Sequence, residues 1–279
     1  MPVLDGSTVL LTGASSGIGL ELARLVAARA SRLIIVARRR DRLETLRDEL
    51  VAAHPKLVVD VETCDLSDLA ATEALADGLL ARLDAVDVLI NNAGLGDIRL
   101  FEVSEHAKLQ RMIAVNIEAV TLLTHKLVPP MVQRGRGGVL FISSGFGLTV
   151  MPGVAAYAGT KHYVSAFSEA LRMELRGTGV VVTQVCPGPV ATEFESVAGN
   201  PTGQSVPKFI ELSPEKCAAL SIRGFDRRRA TVVPGFVMSI LMWFGVWMPR
   251  WSRRAMYSWM ATFLRNKQGL KALGSGDAG

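Results

Sequence analysis

The sequence predicts an α/β fold: an open, doubly wound, mostly parallel sheet with helices on both faces. Over the first two hundred residues, short runs rich in Val, Ile and Leu alternate with helical patterns. Strands that alternate with helices of about 10–15 residues indicate βαβ units. Most of the apolar runs lack alternating polar positions, which is typical of parallel strands buried on both faces.

The predicted elements follow one another along the chain. The strand candidates are TVLLTG, RLIIVARR, KLVVDVETCD, VDVLINNAG, GVLFISS and GVVVTQVCPG. The helix candidates are GLELARLVAARA, DRLETLRDELVAAH, ATEALADGLLARL, one further helix before GVLFISS, and a helix that begins near Tyr157. In the second helix, apolar residues fall on one face at helical spacing, namely Leu43, Leu46, Leu50 and Val51.

Length and composition narrow the class of protein. A chain of 279 residues, about half of them apolar, fits one α/β domain with a small extension and excludes wholesale disorder. Cys64, Cys186 and Cys217 lie far apart and form no CxxC pair. We therefore expect free thiols in a reducing compartment and no metal site. The start of the sequence lacks the features of a secretory signal, which predicts a cytoplasmic protein.

The net charge of +5 is concentrated at the C-terminal end. From Arg223 onward the sequence has ten Lys and Arg side chains but only two Asp, whereas the first 222 residues have a small acidic excess. No basic face interleaved with aromatic residues runs through the body of the chain. This distribution argues against a nucleic-acid partner.

The stretch TGASSGIG connects the first strand candidate to the first helix candidate. In such a connection Gly13 permits a tight turn, Gly17 lets the backbone approach a phosphate, and Gly19 lets the helix pack close to the strand. The N–H groups and positive dipole end of the helix then bind a pyrophosphate. The spacing differs from the Gly-x-Gly-x-x-Gly fingerprint. If no other motif indicates a dinucleotide site, the alternative is that these glycines form a purely structural turn.

Four motifs occur in order along the chain: TGASSGIG from Thr12, NNAG from Asn91, YAGTK from Tyr157 and PGPVAT from Pro187. With them the chain resembles the short-chain dehydrogenase/reductase family over roughly residues 5–235. The resemblance implies a Rossmann-like sheet of about seven parallel strands. It also implies a nicotinamide cofactor and reversible hydride transfer between a carbonyl and an alcohol.

The resemblance assigns catalytic roles to residues of these motifs. Tyr157 and Lys161 are four residues apart, so a helix presents them on one face, and a nearby ammonium lowers the pKa of a phenol. Tyr157 is expected to donate the proton during reduction, and Lys161 to tune it and to bind the nicotinamide ribose. Ser144 fits the family's spacing better than Ser143 and would stabilise the substrate oxygen. Asn116 would bend its helix and connect Lys161 to solvent through a water.

The same resemblance supplies the expected cofactor contacts. Asp65 would bond the adenine amino group, with Leu66 beside it. The glycine-rich loop, the adenine-ribose side and the nicotinamide side would be formed by Gly13, Ser15, Ser16, Gly17, Ile18, Gly19, Asn91, Ala93, Gly94, Pro187, Gly188, Val190 and Thr192, together with Tyr157 and Lys161.

The end of the second strand predicts NADP(H) as the cofactor. An NAD enzyme generally has an acid there to bond the ribose 2′-hydroxyl, but this sequence reads VARRR. A guanidinium binds a 2′-phosphate through charge-assisted hydrogen bonds. We expect Arg38 to be the main contact, with Arg39 or Ser16 secondary. The alternative is that these arginines cap the strand and solvate the next helix.

The sequence divides into a Rossmann-like catalytic domain at 1–235, an apolar and amphipathic helical extension at 236–267, and a disordered tail at 268–279. The uncharged run from Phe236 to Met248 is too short for a full membrane span. An apolar stripe follows at helical spacing: Trp251, Ala255, Trp259 and Phe263, broadened by Met256, Met260 and Leu264. The stripe fits packing on the protein's own core or a second subunit, peripheral membrane docking, or a lid over a hydrophobic substrate. The segment after Thr192 would form part of that lid.

These patterns predict an NADP(H)-dependent carbonyl reductase for a hydrophobic, lipid-like, steroid-like or long-chain ketone or aldehyde. A non-catalytic NADP(H)-binding regulator that retains the fold is the alternative. The resemblance also implies a homodimer or homotetramer, with Ala156 to Met173 as a candidate contact helix.

Overall fold

The computed structural model describes residues 3–199 and 210–267 and has a seven-stranded sheet at its centre. The strands are β1 (Thr8–Thr12), β2 (Arg32–Ala37), β3 (Val58–Thr63), β4 (Val88–Asn91), β5 (Gly137–Ile142), β6 (Val180–Val185) and β7 (Thr231–Val232). Their spatial order is β3-β2-β1-β4-β5-β6-β7, and every neighbouring pair is parallel. The predicted fold class is confirmed, and β7, in the segment RATVVPG, is the seventh strand that the resemblance implies.

Helices connect the strands and cover both faces of the sheet. They are α1 (Gly17–Ala27), α2 (Arg40–Ala53), α3 (Leu69–Arg82), α4 (His106–Ile113), α5 (Val120–Gln133), α6 (Ala155–Glu174), α7 (Phe194–Ala198), α8 (Pro214–Asp226), α9 (Phe236–Trp247) and α10 (Arg250–Lys267). A π-helical segment (Ala114–Ala119) joins α4 to α5. The single helix expected before GVLFISS is therefore two helices with a distorted junction.

Two apolar cores lie on opposite faces of the sheet because successive strand side chains point to opposite sides. In β2, Leu33 and Ile35 face the core formed with α1, α2 and α8, whereas Ile34 and Val36 face the core formed with α3, α5 and α6. Three of the four predicted α2 positions are buried in the first core. Val51 is the exception, and it is 39% exposed.

The strand order reverses beside β1, which lies between β2 and β4. In open α/β sheets, ligands bind outside the carboxyl ends of the strands at such a switch point. The glycine-rich loop after β1 and the NNAG segment after β4 meet there. The topology thus brings two distant motifs to one edge of the sheet.

The C-terminal extension forms the helices α9 and α10. Within residues 3–199 and 210–267, none of the helices combines the length and apolar character of a membrane span. In the stripe, Trp251 and Trp259 are about three-quarters exposed, so neither packs in the protein's own core. Trp259, Phe263, Met260 and Leu264 border a cavity. Residues 200–209 of the expected lid and the predicted disordered tail lie outside the described residues.

Candidate active site

The predicted motifs surround one cavity of about 1200 Å3 at the carboxyl edge of the sheet. They meet there because parallel strands all end at the same edge. Nearly all of the predicted site residues line it: Gly13, Ser15, Ser16, Gly17, Ile18, Gly19, Arg38, Arg39, Asp65, Leu66, Ala93, Gly94, Ser144, Tyr157, Lys161, Pro187, Gly188, Val190 and Thr192.

Asn91 does not line the cavity and is a correction to the expected cofactor contacts. It lies in β4, is buried, and donates from Nδ2 to Thr124 Oγ1 of α5 at 3.1 Å. The neighbouring Asn92 lines the cavity instead, and its Nδ2 donates to the carbonyls of Thr12 and Gly13 at 2.9 and 3.2 Å. Successive residues of a strand point in opposite directions, which explains the exchange of roles.

The glycine-rich loop has no room for side chains at its critical positions. Gly13 has a φ of +71°, and a Cβ on it would lie 2.8 Å from the Ala93 Cα. A Cβ on Gly19 would lie 2.1 Å from the Gly13 carbonyl oxygen. The backbone therefore forms a side-chain-free cradle at the N-terminus of α1, which fits a pyrophosphate bound by main-chain N–H groups.

Tyr157 and Lys161 lie one turn apart on α6 and are both nearly inaccessible to solvent. The Lys161 Nζ lies 5.9 Å from the centroid of the Tyr157 ring and donates to the Ile142 carbonyl at 3.0 Å. Ser144 lies near enough to the Tyr157 hydroxyl to lower the pKa of that phenol. The sheet end and one helix turn thus hold a phenol, an ammonium and a hydroxyl together.

The Lys161 ammonium was expected to lower the pKa of the Tyr157 phenol, but in this structure that pKa is raised. Burial raises the pKa of Tyr157 to about 12, which the interaction with Ser144 opposes. Burial lowers the pKa of Lys161 to about 8, and the electrostatic interaction with Cys186 opposes this shift. Desolvation is therefore the largest cause of both pKa shifts.

The two serines at the end of β5 have different surroundings. Ser143 bonds to the Ser165 hydroxyl at 2.9 Å and to the Lys161 carbonyl at 3.2 Å, so it holds α6 against the sheet. Ser144 caps the short turn after β5, accepts from the Phe146 N–H at 3.2 Å and faces Tyr157. These contacts support the choice of Ser144 as the serine of the site.

Asn116 lies in the π-helical segment, where a helix distortion was expected. Its Oδ1 accepts from the Leu95 N–H at 2.9 Å, and its Nδ2 donates to the Leu95 carbonyl and to Thr160 Oγ1 at 2.8 and 3.0 Å. Asn116 does not line the cavity, but a Cβ on Gly94 would meet both Lys161 Nζ and Asn116 Oδ1, at 3.3 and 3.6 Å. The two side chains therefore border the same space.

The arginines after β2 are arranged differently from the expected order of importance. The Arg39 guanidinium donates to Ser15 Oγ and Ser16 Oγ at 3.2 and 3.0 Å, so it lies against the glycine-rich loop. The charge of Arg38 instead acts on Asp65, whose pKa is lowered mainly by hydrogen bonds from Ser67 that outweigh its partial burial. Arg39, which was expected as a secondary contact, is thus the arginine that is hydrogen-bonded to the glycine-rich loop.

The remaining wall of the cavity is apolar and comes partly from the C-terminal extension. Met238 and Met242, one turn apart on α9, lie so close to the site that a Cβ on Gly188 or Gly145 would overlap them. Phe194 of α7 packs on the Tyr157 ring with centroids 5.5 Å apart. Neither methionine was expected at the site, although their four-residue spacing predicts that a helix presents both on one face.

Comparisons with known proteins agree with this arrangement. The sequence profile described as short chain dehydrogenase matches residues 7–201. A Drosophila melanogaster dehydrogenase/reductase SDR family protein 7-like is 32% identical over 252 residues, covering 86% of this chain and 76% of the relative.

Two solved structures are similar over almost the whole chain. A short-chain dehydrogenase from Sphingobium yanoikuyae in complex with NADPH has a TM-score of 0.77 and 28% identity, with 97% of this chain and 99% of the other covered. A bulky-bulky ketone specific alcohol dehydrogenase from Comamonas testosteroni has a TM-score of 0.74 and 25% identity, with 97% of each chain covered.

Proposed function

Because the chain belongs to the short-chain dehydrogenase family, we propose that it reduces a bulky, apolar ketone or aldehyde with NADPH. One observation carries the proposal: a single cavity joins the glycine-rich cradle and Arg39 to Tyr157, Ser144 and Lys161, and closes on an apolar wall. A cofactor and a substrate that share this cavity would meet at the phenol.

The chain's own residues fit a dinucleotide along the cavity. The main chain of the glycine-rich loop would bind the pyrophosphate, Arg39 the 2′-phosphate, and Lys161 the nicotinamide ribose. When bound, NADPH supplies the hydride that the carbonyl carbon accepts. The residues from Pro187 to Thr192 would fix which face of the nicotinamide ring is presented.

Tyr157, Ser144 and Lys161 would handle the proton. A phenol with a pKa of about 12 is fully protonated at neutral pH, which is the state a proton donor requires. Its O–H proton would pass to the carbonyl oxygen, while Ser144 donates a hydrogen bond to that oxygen and stabilises the charge that develops there. Asn116 would position the distorted helix beside Lys161. Tyr157 would regain its proton by way of Lys161.

The preference for NADPH is supported by charge at the end of β2. Ala37 stands where an NAD enzyme generally has an acid, and Arg38 and Arg39 follow it in the cavity wall. The NADPH complex of the Sphingobium relative is consistent with this preference.

The substrate class is supported by the apolar wall. Met238 and Met242 from α9 and Met260 and Leu264 from α10 face the cavity, and methionine side chains adapt to large, irregular apolar ligands. The bulky-ketone specificity of the Comamonas relative points the same way. We therefore assign the extension at 236–267 to the substrate side of a catalytic domain formed by residues 1–235.

The outer face of α10 is proposed to contact an anionic membrane surface. Trp251 is about three-quarters exposed and does not line the cavity, and the sequence from 236 to 267 contains five Arg and Lys but no Asp or Glu. Exposed tryptophans on a helix with only basic charges are typical of interfacial binding. Oligomer formation through α6, as in the family, is compatible with this contact.

Nicotinamide absorbance with a panel of carbonyl compounds tests the activity. We expect kcat/KM with NADPH to exceed that with NADH at least about tenfold, because one charge-assisted phosphate contact contributes about 1.5–3 kcal/mol. Equal or better efficiency with NADH would reject the NADPH assignment.

A homologous series of ketones tests the substrate class. We expect kcat/KM to rise about fourfold for each added methylene that the cavity buries, since each contributes about 0.8 kcal/mol. Hydroxylated ketones of matched size are the control, and efficiency independent of apolar size would contradict the assignment.

A further inference from the structure

Glu193 forms an unusual bridge between the end of β2 and the segment that follows β6. Its carboxylate accepts from Arg39 Nη1 at 3.0 Å and from Arg42 Nη1 at 2.8 and 3.1 Å. The three side chains are 40–48% exposed. The two arginines hold the pKa of Glu193 below its usual range, so the bridge is fully charged at neutral pH.

One of these arginines also belongs to the proposed cofactor site. Arg39 Nη2 donates to Ser15 and Ser16 of the glycine-rich loop, while its Nη1 binds Glu193. The adjacent Thr192 rests on the same loop, since a Cβ on Gly17 would lie 2.9 Å from Thr192 Cγ2. Residues 192–193 are thus held beside the part of the cavity where the 2′-phosphate of the cofactor would bind.

The other end of this segment is held independently. The Ala198 carbonyl, at the end of α7, accepts from the Ile98 N–H at 3.1 Å and from Lys108 Nζ at 2.8 Å. Lys108 is in turn paired with the buried Asp97 at 3.1 Å. The anchor at Ala198 is partly buried, whereas the Glu193 contacts are exposed, so the start of α7 is the end that releases more readily.

The start of α7 also reaches the proposed proton donor. Phe194, the residue after Glu193, packs on the Tyr157 ring and fills the space beside Gly96, where a Cβ would lie 2.4 Å from its Cζ. A backbone movement that takes Glu193 away from Arg39 would therefore also change the packing over Tyr157.

We propose that Glu193 is a latch that holds Arg39 and Arg42 until a dinucleotide bearing a 2′-phosphate displaces it. A phosphate carries more negative charge than a carboxylate and offers three acceptor oxygens, so it replaces Glu193 on Arg39. NADH has no group that competes for this guanidinium and leaves the latch closed. Release frees the start of α7 and shifts Phe194 away from Tyr157. The inference rests on the proposed NADPH preference.

Cofactor affinities test the competition directly. In Glu193→Gln the competing charge is gone, so we expect the Kd for NADPH to fall about three- to tenfold, as expected for two exposed ion pairs. The Kd for NADH should change less than about twofold by the same reasoning. Glu44→Gln is the matched control. It removes a carboxylate that pairs with Arg40 on α2, the helix that also carries Arg42, and it does not touch α7. Fluorescence titration of the wild-type protein and both variants with each cofactor measures the six values.

Hydrogen exchange in the wild-type protein tests the release itself. Adenosine 2′,5′-bisphosphate carries the 2′-phosphate but no nicotinamide, and ADP is the control without the 2′-phosphate. At saturation, we expect the bisphosphate to speed exchange of the amides at 193–197 at least about twofold, as local opening becomes easier. ADP should leave their exchange unchanged.

The outcomes separate this inference from the proposed function. A wild-type protein that binds NADH as tightly as NADPH would refute the cofactor assignment, whatever the variants do. If NADPH is preferred but Glu193→Gln does not tighten its binding, the latch is overturned. Equal exchange at 193–197 with the two adenosine phosphates would overturn it as well.

Discussion

At the scale of single residues, the chemistry of this site depends on burial. Tyr157 and Lys161 are both almost completely enclosed, and enclosure moves their pKa values in opposite directions, to about 12 and about 8. Both shifts favour the neutral form of the group. The phenol is therefore kept protonated, and the amine is close to losing its proton at neutral pH.

Removal of the phenol hydroxyl should abolish most turnover without affecting cofactor binding. For Tyr157→Phe we expect kcat to fall about 10²–10⁴-fold, the usual contribution of a positioned acid, with an unchanged Kd for NADPH. Tyr163→Phe on the same helix is the control, because its hydroxyl bonds to Thr121 and it does not line the cavity. A wild-type protein that oxidises no NADPH with any carbonyl would instead favour the non-catalytic regulator.

The lowered pKa of Lys161 makes stability depend on pH. Between pH 8 and 10.5 the unfolded chain still binds the proton that the folded Lys161 has released, so the free energy of unfolding rises with pH in this window. Relative to Lys161→Met, the wild-type protein should gain about 3 kcal/mol across it. Urea titrations of the cofactor-free proteins measure the difference, and parallel curves would show that Lys161 titrates normally.

At the scale of elements, the site depends on two irregular features of regular structure. The π-helical segment points Asn116 at Leu95 and Thr160, and π-bulges in helices are frequent at functional sites. The glycine-rich loop brings α1 so close to β1 that the Gly19 position borders the Gly13 carbonyl. The first feature positions a side chain against distant backbone, and the second leaves no room for a side chain at all.

Alanine substitution distinguishes the glycine of the cradle from an ordinary helical glycine. Gly19→Ala should cost about 1–3 kcal/mol of stability through overpacking against backbone, and should weaken NADPH binding at least tenfold (about 1.4 kcal/mol). Gly78→Ala in α3 is the control, because nothing lies within 4 Å of its Cβ position. That change should stabilise the protein by about 0.5–1 kcal/mol. Thermal unfolding and fluorescence titration measure both effects.

At the scale of the whole molecule, one side of the C-terminal extension lines the cavity and the other side is exposed to solvent. The inner faces of α9 and α10 complete the cavity with methionine and leucine side chains, while the outer face exposes tryptophans. A hydrophobic substrate that partitions into a membrane could enter the cavity beside this face.

Vesicle flotation tests the outer face. We expect the protein to float with anionic vesicles at low salt and to be released at high salt, because part of the attraction is electrostatic. Trp251→Ser should weaken the association severalfold, by about 1–2 kcal/mol of lost apolar burial. Val58→Ser is the control, since it removes an exposed apolar side chain from β3, at the edge of the sheet opposite to β7. Absence of flotation, with dimers that dissociate in Trp251→Ser, would identify a second copy of the chain as the partner.

The sequence by itself determined the parallel α/β fold and six of its strands, and its four motifs identified most of the residues around the cavity. Strand periodicity, the glycine positions and the Tyr157–Lys161 spacing are local properties that can be read along the chain. The choice of Ser144 over Ser143 as the catalytic serine stays a prediction.

Only the tertiary structure decided which side of each element faces the site. It exchanged Asn91 for Asn92, brought Arg39 rather than Arg38 to the glycine-rich loop, and joined both to distant partners such as Glu193. It also left Trp251 exposed and placed Met260 and Leu264 of the stripe at the cavity. These outcomes depend on contacts between residues 24 to 154 positions apart, which local spacing does not encode.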